Sequence, residues 1–276
     1  MSRPMIQAAV TMNQLQNKLD LIGNNMANSQ TTGYKNRQTD FSSLLFQQIN
    51  NLSDPANAEG RLTPDGIQVG AGAKLGATNI DLSHGAIVET ERVLDAALTG
   101  ENHFFQIETT ENGVTETRYT RDGSFYLNPV NNNQSVMLTT KDGDPVLGEN
   151  GPIIIAEGFD GIAIQEDGQI MVDRGNQTEI AGSIAAVDVA RPRLLEAAGE
   201  NAFRLPNLAE LELTMGEVIR DVPQDEAILQ SGALEQSNVD VAQQMTDMMM
   251  TQRSYQLNAR TISMGDQMQG LINQLR

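Results

Sequence analysis

Apolar side chains recur at spacings of three and four residues near the N terminus, and this repeat constrains the fold more than any other feature. Polar residues fill the positions between them, as in the a and d sites of successive heptads: Met5, Ala8, Met12, Leu15, Leu19, Ile22 and Met26. The repeat predicts an amphipathic helix that packs along a partner helix. Turn and cap formers from Asn28 to Gly33 predict the end of this helix.

A second, longer helix is predicted at the C terminus. Ser237 or Asn238 can cap its free backbone amides, and Asp240 sits favourably against its positive end. The helix could reach Leu275, which is about 37 residues or roughly 55 Å at the standard rise. It carries two apolar seams, the first formed by Val241, Met245, Met248, Tyr255 and Ile262, and the second by Met250, Leu257, Met264, Met268, Leu271 and Leu275.

One helix with two seams requires two neighbours. We expect the first seam to pair with the N-terminal helix as a coiled coil. The second seam is then left for other copies of the chain, because flexible methionines tolerate the slightly different contacts of repeated packing. Alternatively, both seams lie in the core of one bundle within a monomer. The sequence offers no third long helical repeat to complete such a bundle.

The middle of the chain indicates β-structure. Asp-Gly pairs at 65–66, 122–123, 142–143, 160–161 and 167–168 are hairpin-turn signals, and β-prone runs such as 104–107, 124–127 and 169–172 lie between them. The predicted fold class is therefore α+β, with long terminal helices and an inserted, mostly antiparallel β-domain. We expect residues 1–50 and 231–276 to form the two helical halves of a core domain and residues 51–230 to form a β-rich outer domain.

Charge is concentrated in the same middle region. Residues 51–230 hold 30 acidic and 11 basic side chains, within a chain of net charge −18. A region without a basic face does not bind a phosphate backbone, so nucleic acid is excluded as a partner. The longest aliphatic run, 153–156, is too short to span a bilayer, and the N terminus lacks a secretory signal. We expect no membrane insertion, and either a cytoplasmic chain or one exported without cleavage.

The residues that catalysis or metal binding would require do not form recognisable sets. There is no cysteine, so disulfides, thiolate zinc sites and a cysteine nucleophile are all excluded. His84 and His103 lie in separate segments without a second ligand at metal-binding spacing, and Asp142 and Asp144 lack the rest of a calcium loop. No G-x-S-x-G motif occurs. We therefore predict no catalytic residue, cofactor or metal, and a protein that is not an enzyme.

Three stretches of the chain carry family motifs. Residues 19–35 read LDLIGNNMANSQTTGYK, residues 94–100 read LDAALTG with FF at 104–105 and YTRDGSF at 119–125, and residues 234–240 read LEQSNVD with QRSY at 252–255. Together these resemble the axial proteins of the bacterial flagellum, which build its rod and hook. One departure is that the family's Gly-x-Gly-Phe-Phe turn is one residue longer here and loses its second glycine, between Gly100 and Phe105.

The resemblance implies a structural subunit rather than an enzyme. Such a subunit would pass unfolded through the flagellar export apparatus without a cleaved signal, and would assemble helically with its own copies and with other rod and hook proteins outside the cytoplasmic membrane. Its terminal helices would line the tube, and the tube would act as a drive shaft that transmits torque to the hook. The modest middle region favours a distal rod protein. A hook or hook-cap protein, an export-linked adaptor and a cell-wall-acting enzyme delivered with the rod are the alternatives.

The candidate assembly interface combines the two helices with the corner that follows the first. Asn24, Asn25, Asn28, Thr31, Gly33 and Tyr34 would form a rigid corner, with amides and hydroxyls satisfying helix-end groups and Tyr34 packing on a neighbour. A simple helix stop explains each of these residues equally well when taken alone. The complete predicted interface is Met12, Leu15, Leu19, Ile22, Asn24, Asn25, Asn28, Thr31, Gly33, Tyr34, Asn238, Asp240, Met245, Met248, Gln252, Arg253, Tyr255, Leu257, Ile262, Met264, Met268 and Leu271.

Overall fold

A computed structural model describes residues 3–43, 46–49, 67–70, 73–111, 113–130, 134–175, 177–199, 201–208, 210–223 and 228–274. The described chain is α+β, with a long helix at each end and antiparallel strand pairs between them. It divides into two compact units. The terminal unit comprises Met1–Met26, Arg37–Asn79 and Asp240–Arg276, and the β unit comprises Ala27–Asn36 and Ile80–Val239.

The terminal unit contains both long helices. Helix α1 spans Arg3–Ala27, which confirms the helix predicted from the heptad repeat. Residues 37–43 and 46–49 fall within the predicted helical half, yet they form strands: β1 (Arg37–Ser43) pairs with β4 (Ala73–Ile80), and β2 (Phe46–Ile49) pairs with β3 (Ile67–Gly70). The predicted turn signal at 65–66 lies outside the described residues.

The β unit is built on a six-stranded sheet of order β18-β19-β8-β7-β17-β20. The strands that pair to form it are β7 (His103–Glu111), β8 (Val114–Thr120), β17 (Ala186–Val189), β18 (Glu196–Ala197), β19 (Ala202–Arg204) and β20 (Ile219–Asp221). Two short helices lie close to this sheet in sequence, a 3₁₀ helix at Pro192–Leu194 and α2 at Met215–Val218.

Smaller antiparallel sheets complete the unit. They are formed by β9 (Tyr126–Val130), β10 (Ser135–Thr139) and β13 (Ile154–Ala156); by β14 (Gly161–Ile164), β15 (Gln169–Arg174) and β16 (Gln177–Ser183); by β11 (Leu147–Gly148) and β12 (Gly151–Pro152); by β5 (Ile87–Glu89) and β22 (Ala233–Glu235); and by β6 (Ala96–Leu98) and β21 (Leu229–Ser231). The last helix of the chain, α3, spans Val241–Gln274.

The β unit has two hydrophobic clusters, and adjacent phenylalanines on β7 contribute one side chain to each. Successive side chains of a strand point to opposite faces, so Phe104 and Phe105 enter different clusters. Phe105 meets Phe125 edge to face, with ring centroids 5.0 Å apart, and Phe104 meets Phe203 in the same way at 5.8 Å. All four rings are buried, and β7 is therefore the strand around which the unit is packed.

The Asp-Gly signals divide into true hairpin turns and other structures. Residues 142–143 turn the chain back after β10, and 167–168 join β14 to β15; both glycines have positive φ, +91° and +85°. The pair at 160–161 instead begins β14. At 122–123 the glycine lies against the Ala96 backbone, where an added Cβ would come 1.7 Å from the carbonyl oxygen. That pair serves close packing rather than a hairpin.

Candidate assembly interface and its anchoring corner

The apolar seam of α1 is the buried face of that helix. Met5, Ala8, Leu15 and Ile22 are buried, and the remaining predicted positions, Met12, Leu19 and Met26, are half-buried. Burial at every a and d position is what an amphipathic helix against a neighbour requires. The seam is therefore occupied within a single chain.

Helix α3 buries a face that includes three residues of the first predicted seam, although its most buried positions are not apolar. Its buried positions are Gln244, Thr251 and Gly265. In the first predicted seam, Met248, Tyr255 and Ile262 are half-buried beside this face, whereas Val241 and Met245 are exposed. The sequence pattern did not mark these three buried positions, because two of them are polar and the third has no side chain.

The second seam of α3 is exposed throughout its described length. Its side chains are more than half exposed: Met250 at 53%, Leu257 at 61%, Met264 at 56%, Met268 at 61% and Leu271 at 61%. The predicted interface residues Gln252 and Arg253 are exposed as well. A continuous exposed apolar stripe of this kind on a long helix is a candidate contact surface; Leu275 lies outside the described residues.

Two contacts join α1 and α3 within the terminal unit. Asn25, which is 1% exposed, donates from Nδ2 to the side-chain oxygen of Gln244 at 3.4 Å. At the other end, Met5 packs against Gly265, where an added Cβ would lie 2.8 Å from Met5 Cγ. The glycine inside α3 thus has a packing role, because it lets the methionine approach the helix backbone.

The predicted corner forms part of the β unit. Thr31 donates to the Asn28 side chain at 3.2 Å, and the Thr32 hydroxyl donates to Asp122 at 2.9 Å. Gly33 has φ +65° and lies against the backbone of Arg121, where a Cβ would come 2.5 Å from the carbonyl carbon. Only glycine fits this position, because the φ angle is positive and because a Cβ would overlap the Arg121 backbone.

Other members of the corner differ in how far they are buried. Tyr34 is 3% exposed within one chain, so its ring is covered by the chain itself, whereas we predicted that it packs on a neighbour. Asn28 and Thr31 are half-buried, and Asn24, in the terminal unit, is exposed.

A buried cluster of three charges fastens the corner to the segment that leaves the β unit. Glu235 accepts from Lys35 Nζ at 2.8 Å through Oε1 and from Arg121 Nε at 2.8 Å through Oε2. The same Oε1 accepts from the Gly85 amide at 2.9 Å, and the Glu235 carbonyl accepts from the Gly33 amide at 2.7 Å. The side chains of the three charged residues are at most 1% exposed. We call Lys35, Arg121 and Glu235 the charge cluster.

The loop at 100–103 completes the charge cluster. Arg121 Nη1 donates to the carbonyls of Gly100, at 3.0 Å, Glu101 and His103, at 3.1 Å. The His103 ring occupies the space beside Gly100, where a Cβ would come 2.3 Å from Nδ1. This is the turn in which the chain departs from the family motif, and its carbonyls satisfy a buried guanidinium. The guanidinium also lies 5.7 Å from the centroid of the Phe104 ring.

Burial and mutual attraction oppose each other in the charge cluster. Burial would raise the pKa of Glu235, but the positive charge of Arg121 and the hydrogen bond from Lys35 outweigh it, so this pKa lies below its ordinary value. Burial, together with repulsion from Arg121, lowers the pKa of Lys35. One carboxylate thus keeps two desolvated cations in place.

The predicted helix cap is correct for Asp240 and wrong for Asn238. Asp240 Oδ1 accepts from the amides of Ala242 at 2.9 Å and Gln243 at 3.1 Å, which is N-cap geometry. Asn238 instead accepts from the Asn36 amide at 2.7 Å and donates to the Asp81 carbonyl at 2.9 Å. It ties the incoming segment of the β unit to the outgoing one, a role that cap propensity cannot distinguish from capping.

Sequence reasoning missed the charge cluster. Its members are 200 and 114 residues apart for the two ion pairs, so no local pattern joins them. The sequence did contain an indication of the cluster, because Lys35, Arg121 and Glu235 each lie in one of the three motif stretches. Charged residues within motifs of this kind are candidates for pairing with one another.

A cavity of about 410 Å³ in the β unit is lined by Arg118, Asp122, Asp142 and Asp144 among others, and Arg118 is held by Glu111 at 2.9 Å and Glu116 at 2.6 Å. Within the described ranges, no group of three or more His, Cys, Asp or Glu residues is placed to hold a metal ion. None of the described helices has the length and apolar character needed to cross a bilayer.

Comparison with known proteins assigns the chain to a family. Three family models match in chain order: "Flagella basal body rod protein" over residues 7–35, "Flagellar hook protein FlgE/F/G D1 domain" over 97–172, and "Flagellar basal body rod FlgEFG protein C-terminal" over 230–275. The Bacillus subtilis flagellar hook-basal body complex protein FlhP is 40% identical, and the alignment covers 100% of both chains. The chain belongs to the flagellar rod and hook family.

Rod proteins are similar over the same span. The flagellar basal-body rod protein FlgG of Borreliella burgdorferi is 33% identical and covers 100% of this chain and 99% of its own length. FlgG of Bacillus subtilis is also 33% identical, with 99% of both chains covered. The family is one of structural proteins of the flagellar rod and hook, and this chain has a structural role in the flagellar basal body. The three models between them cover both long helices and the charge cluster, since Lys35, Arg121 and Glu235 fall within one model each.

Proposed function

We propose that this chain is a distal-rod-like subunit whose copies assemble helically into a tubular drive shaft that transmits torque to the hook. The observation that carries the proposal is the exposed apolar seam of α3, Met250 to Leu271, on a chain whose rod-protein relatives match it along its whole length. A seam that no part of a single described chain covers is suited to contact a second copy.

Within each subunit we propose that α1 and α3 pair as an antiparallel coiled coil. The two contacts at Asn25 and Met5, together with the buried seam of α1, support this pairing. The pair would be the core domain, with residues 1–50 and 231–276 as its halves and residues 51–230 as the outer domain. The exposed members of the predicted interface, Leu257, Met264, Met268 and Leu271 above all, would contact other copies.

The remaining partners and the route to the assembly site are proposed from family membership. We expect contact with other rod and hook proteins, passage through the flagellar export apparatus without a cleaved signal, and a final position outside the cytoplasmic membrane. The net charge of −18 argues against nucleic acid as a partner.

A charge-matched pair of double variants tests the assembly surface. In Leu257→Glu/Met264→Glu two carboxylates enter the exposed seam, and in Gln256→Glu/Gln267→Glu the same charge enters α3 at exposed polar positions beside it. Burying unpaired carboxylates in a contact between subunits costs a few kcal/mol. We therefore expect the first variant to need at least about tenfold more protein for assembly, and the second to assemble like the parent.

Assembly is followed by electron microscopy and sedimentation of the concentrated full chain. Helical oligomers of the parent and of the Gln256/Gln267 variant, together with discrete subunits of the seam variant, are the expected result. Equal assembly of both variants would contradict a role of this seam in subunit contact. Release of fragments from purified peptidoglycan by the protein would contradict a purely structural role.

A further inference from the structure

The two contacts between α1 and α3 lie at opposite ends of the helices and agree on one alignment. From Asn25 to Met5 the chain runs back 20 residues, while from Gln244 to Gly265 it advances 21. Both distances correspond to about 30 Å of α-helix. In an antiparallel pair, equal steps in opposite directions are what a single register requires, so the two contacts define the register to within one residue.

Apolar packing alone does not select this register. The seam of α1 repeats every seven residues, as Met5, Met12, Leu19 and Met26 show. The buried positions of α3, Gln244, Thr251 and Gly265, are also seven and fourteen residues apart. A slip of one heptad would therefore bring matching faces together again, because both faces have the same period.

The buried amides distinguish the native register from its slipped neighbours. Asn25 is 1% exposed and Gln244 is 6% exposed, so each needs a hydrogen-bond partner. A slip by one heptad would place Asn25 opposite Thr251 or beyond the start of α3, and would separate it from Gln244. Asn25 would keep its bonds to the Arg37 backbone, so Gln244 is the buried amide that loses its partner. This loss makes a slipped register about tenfold or more less populated.

Gly265 distinguishes the registers by shape. In the native register Met5 fills the space in which any Cβ at position 265 would lie, 2.8 Å from Met5 Cγ. A slip by seven would place Met5 over Asn258 or Ile272, both of which carry side chains. Of the three positions related by heptad slips, 258, 265 and 272, only 265 therefore allows the close approach of the methionine, since glycine lacks the obstructing atom.

We propose that Asn25, Gln244 and Gly265 are positioning residues that specify the alignment of the two terminal helices. This inference rests on the helix pairing proposed above. One heptad corresponds to about 10 Å along a helix, so a slip would move the exposed seam, Met250 to Leu271, by that distance relative to α1. Subunits in different registers would present different surfaces to their neighbours, and the positioning residues prevent this.

Disulfide formation measures the register directly, because the chain contains no cysteine of its own. Three double-cysteine variants of the full chain share Met5→Cys and combine it with Gly265→Cys, Asn258→Cys or Ile272→Cys. The first reports the native register and the other two report slips by one heptad. A Cβ added at 265 lies at a distance from position 5 that suits a disulfide. After mild oxidation at low protein concentration, the intramolecular crosslink is quantified by gel mobility and mass spectrometry.

In the otherwise unchanged chain we expect the 5–265 crosslink to exceed the other two by at least about tenfold. Gln244→Leu is then added to all three variants; it keeps the size of the side chain and leaves intact the bonds of Asn25 to Arg37, at 2.8 and 3.1 Å. We expect this preference to fall by about tenfold. The matched control, Asn17→Leu/Gln256→Leu, removes one exposed amide from each helix and should leave the preference unchanged.

The outcomes separate this inference from the proposal beneath it. If 5–265 remains the dominant crosslink in the Gln244→Leu chain, the amide does not set the register and the inference fails, while the helix pairing stands. If none of the three pairs crosslinks in any background, the helices do not pair in this way, and the pairing and the inference both fail. A preference lost equally in the Asn17/Gln256 control would also overturn the specific role of Gln244.

Discussion

At the scale of single residues, Glu235 is the carboxylate on which the charge cluster depends. Its carboxylate is the anion between two cations, Lys35 and Arg121, whose side chains are at most 1% exposed. Separating a buried cation from its partner costs far more than losing a surface pair. The effect of substitution at this position is therefore expected to be large.

We predict that Glu235→Gln lowers the free energy of unfolding by about 3 to 5 kcal/mol, since it leaves two buried cations without a counter-charge. Urea unfolding of the full chain measures this. Glu196→Gln is the matched control, because Glu196 pairs with Arg204 at 3.1 Å while both side chains are 50% exposed; it should cost no more than about 1 kcal/mol. Similar losses in the two variants would contradict the assigned role of the charge cluster.

The pH dependence of stability follows from the same carboxylate. The pKa of Glu235 is lowered in the folded chain from the ordinary value of 4.5. The stability it contributes is therefore complete above that value and is lost as the pH falls through the folded pKa. We predict a steeper loss of unfolding free energy in acid for the parent than for Glu235→Gln. Parallel curves for the two chains below the ordinary pKa would count against this prediction.

At the scale of elements, the start of α3 shows how tertiary contacts give different roles to two residues that both suit a helix cap. Asn238 and Asp240 both suit a helix cap by type, yet only Asp240 reaches the amides of the first turn. Asn238 is engaged by Asn36 and Asp81. The cap is therefore a single residue, and it can be tested alone.

We predict that Asp240→Ala costs about 1 kcal/mol, because two amides of the first turn lose their acceptor. Hydrogen exchange at Ala242 and Gln243 should become faster, while the middle of α3 keeps its protection. Asp266→Ala is the control, since it removes an exposed carboxylate from the same helix without touching an end; its effect should stay within about 0.5 kcal/mol. Unchanged exchange in the first turn of Asp240→Ala would show that the cap is dispensable.

Local patterns in the sequence predicted the elements and failed where distant segments meet. The heptad repeat was sufficient for α1, and two Asp-Gly pairs correctly marked turns, because these features depend on neighbouring residues only. Asp122-Gly123 misled the same reasoning, since Asp122 binds Thr32, 90 residues away. The most buried positions of α3 were missed because Gln244 and Gly265 have no apolar signature.

At the scale of the whole molecule, charge follows the division into units. The β unit, residues 27–36 and 80–239, holds 28 acidic and 10 basic side chains, whereas the remaining residues hold eight of each. The helices that we propose for assembly thus belong to a neutral unit, in which copies can approach without strong repulsion.

Two truncations test whether the β unit carries its own stabilising contacts. Deletion of residues 240–276 removes α3 and keeps all of the charge cluster, whereas deletion of 232–276 also removes Glu235 and β22. We predict cooperative unfolding of the β unit in the first variant and its loss in the second, followed by near-ultraviolet circular dichroism in urea. Neither variant should assemble. Non-cooperative unfolding of the longer variant would mean that the β unit depends on α3.

The charge cluster also determines which contacts would resist a tensile force applied to the ends of the β unit. The incoming segment, residues 33–36, and the outgoing segment, residues 235–238, are linked by Gly33 to Glu235 at 2.7 Å, by Lys35 to Glu235 at 2.8 Å and by Asn36 to Asn238 at 2.7 Å. Tension applied across these segments passes through the three links, and the chain between Lys35 and Glu235, which are 200 positions apart, forms a closed loop outside the line of force. The sheet around β7 therefore carries no tension until these three links break.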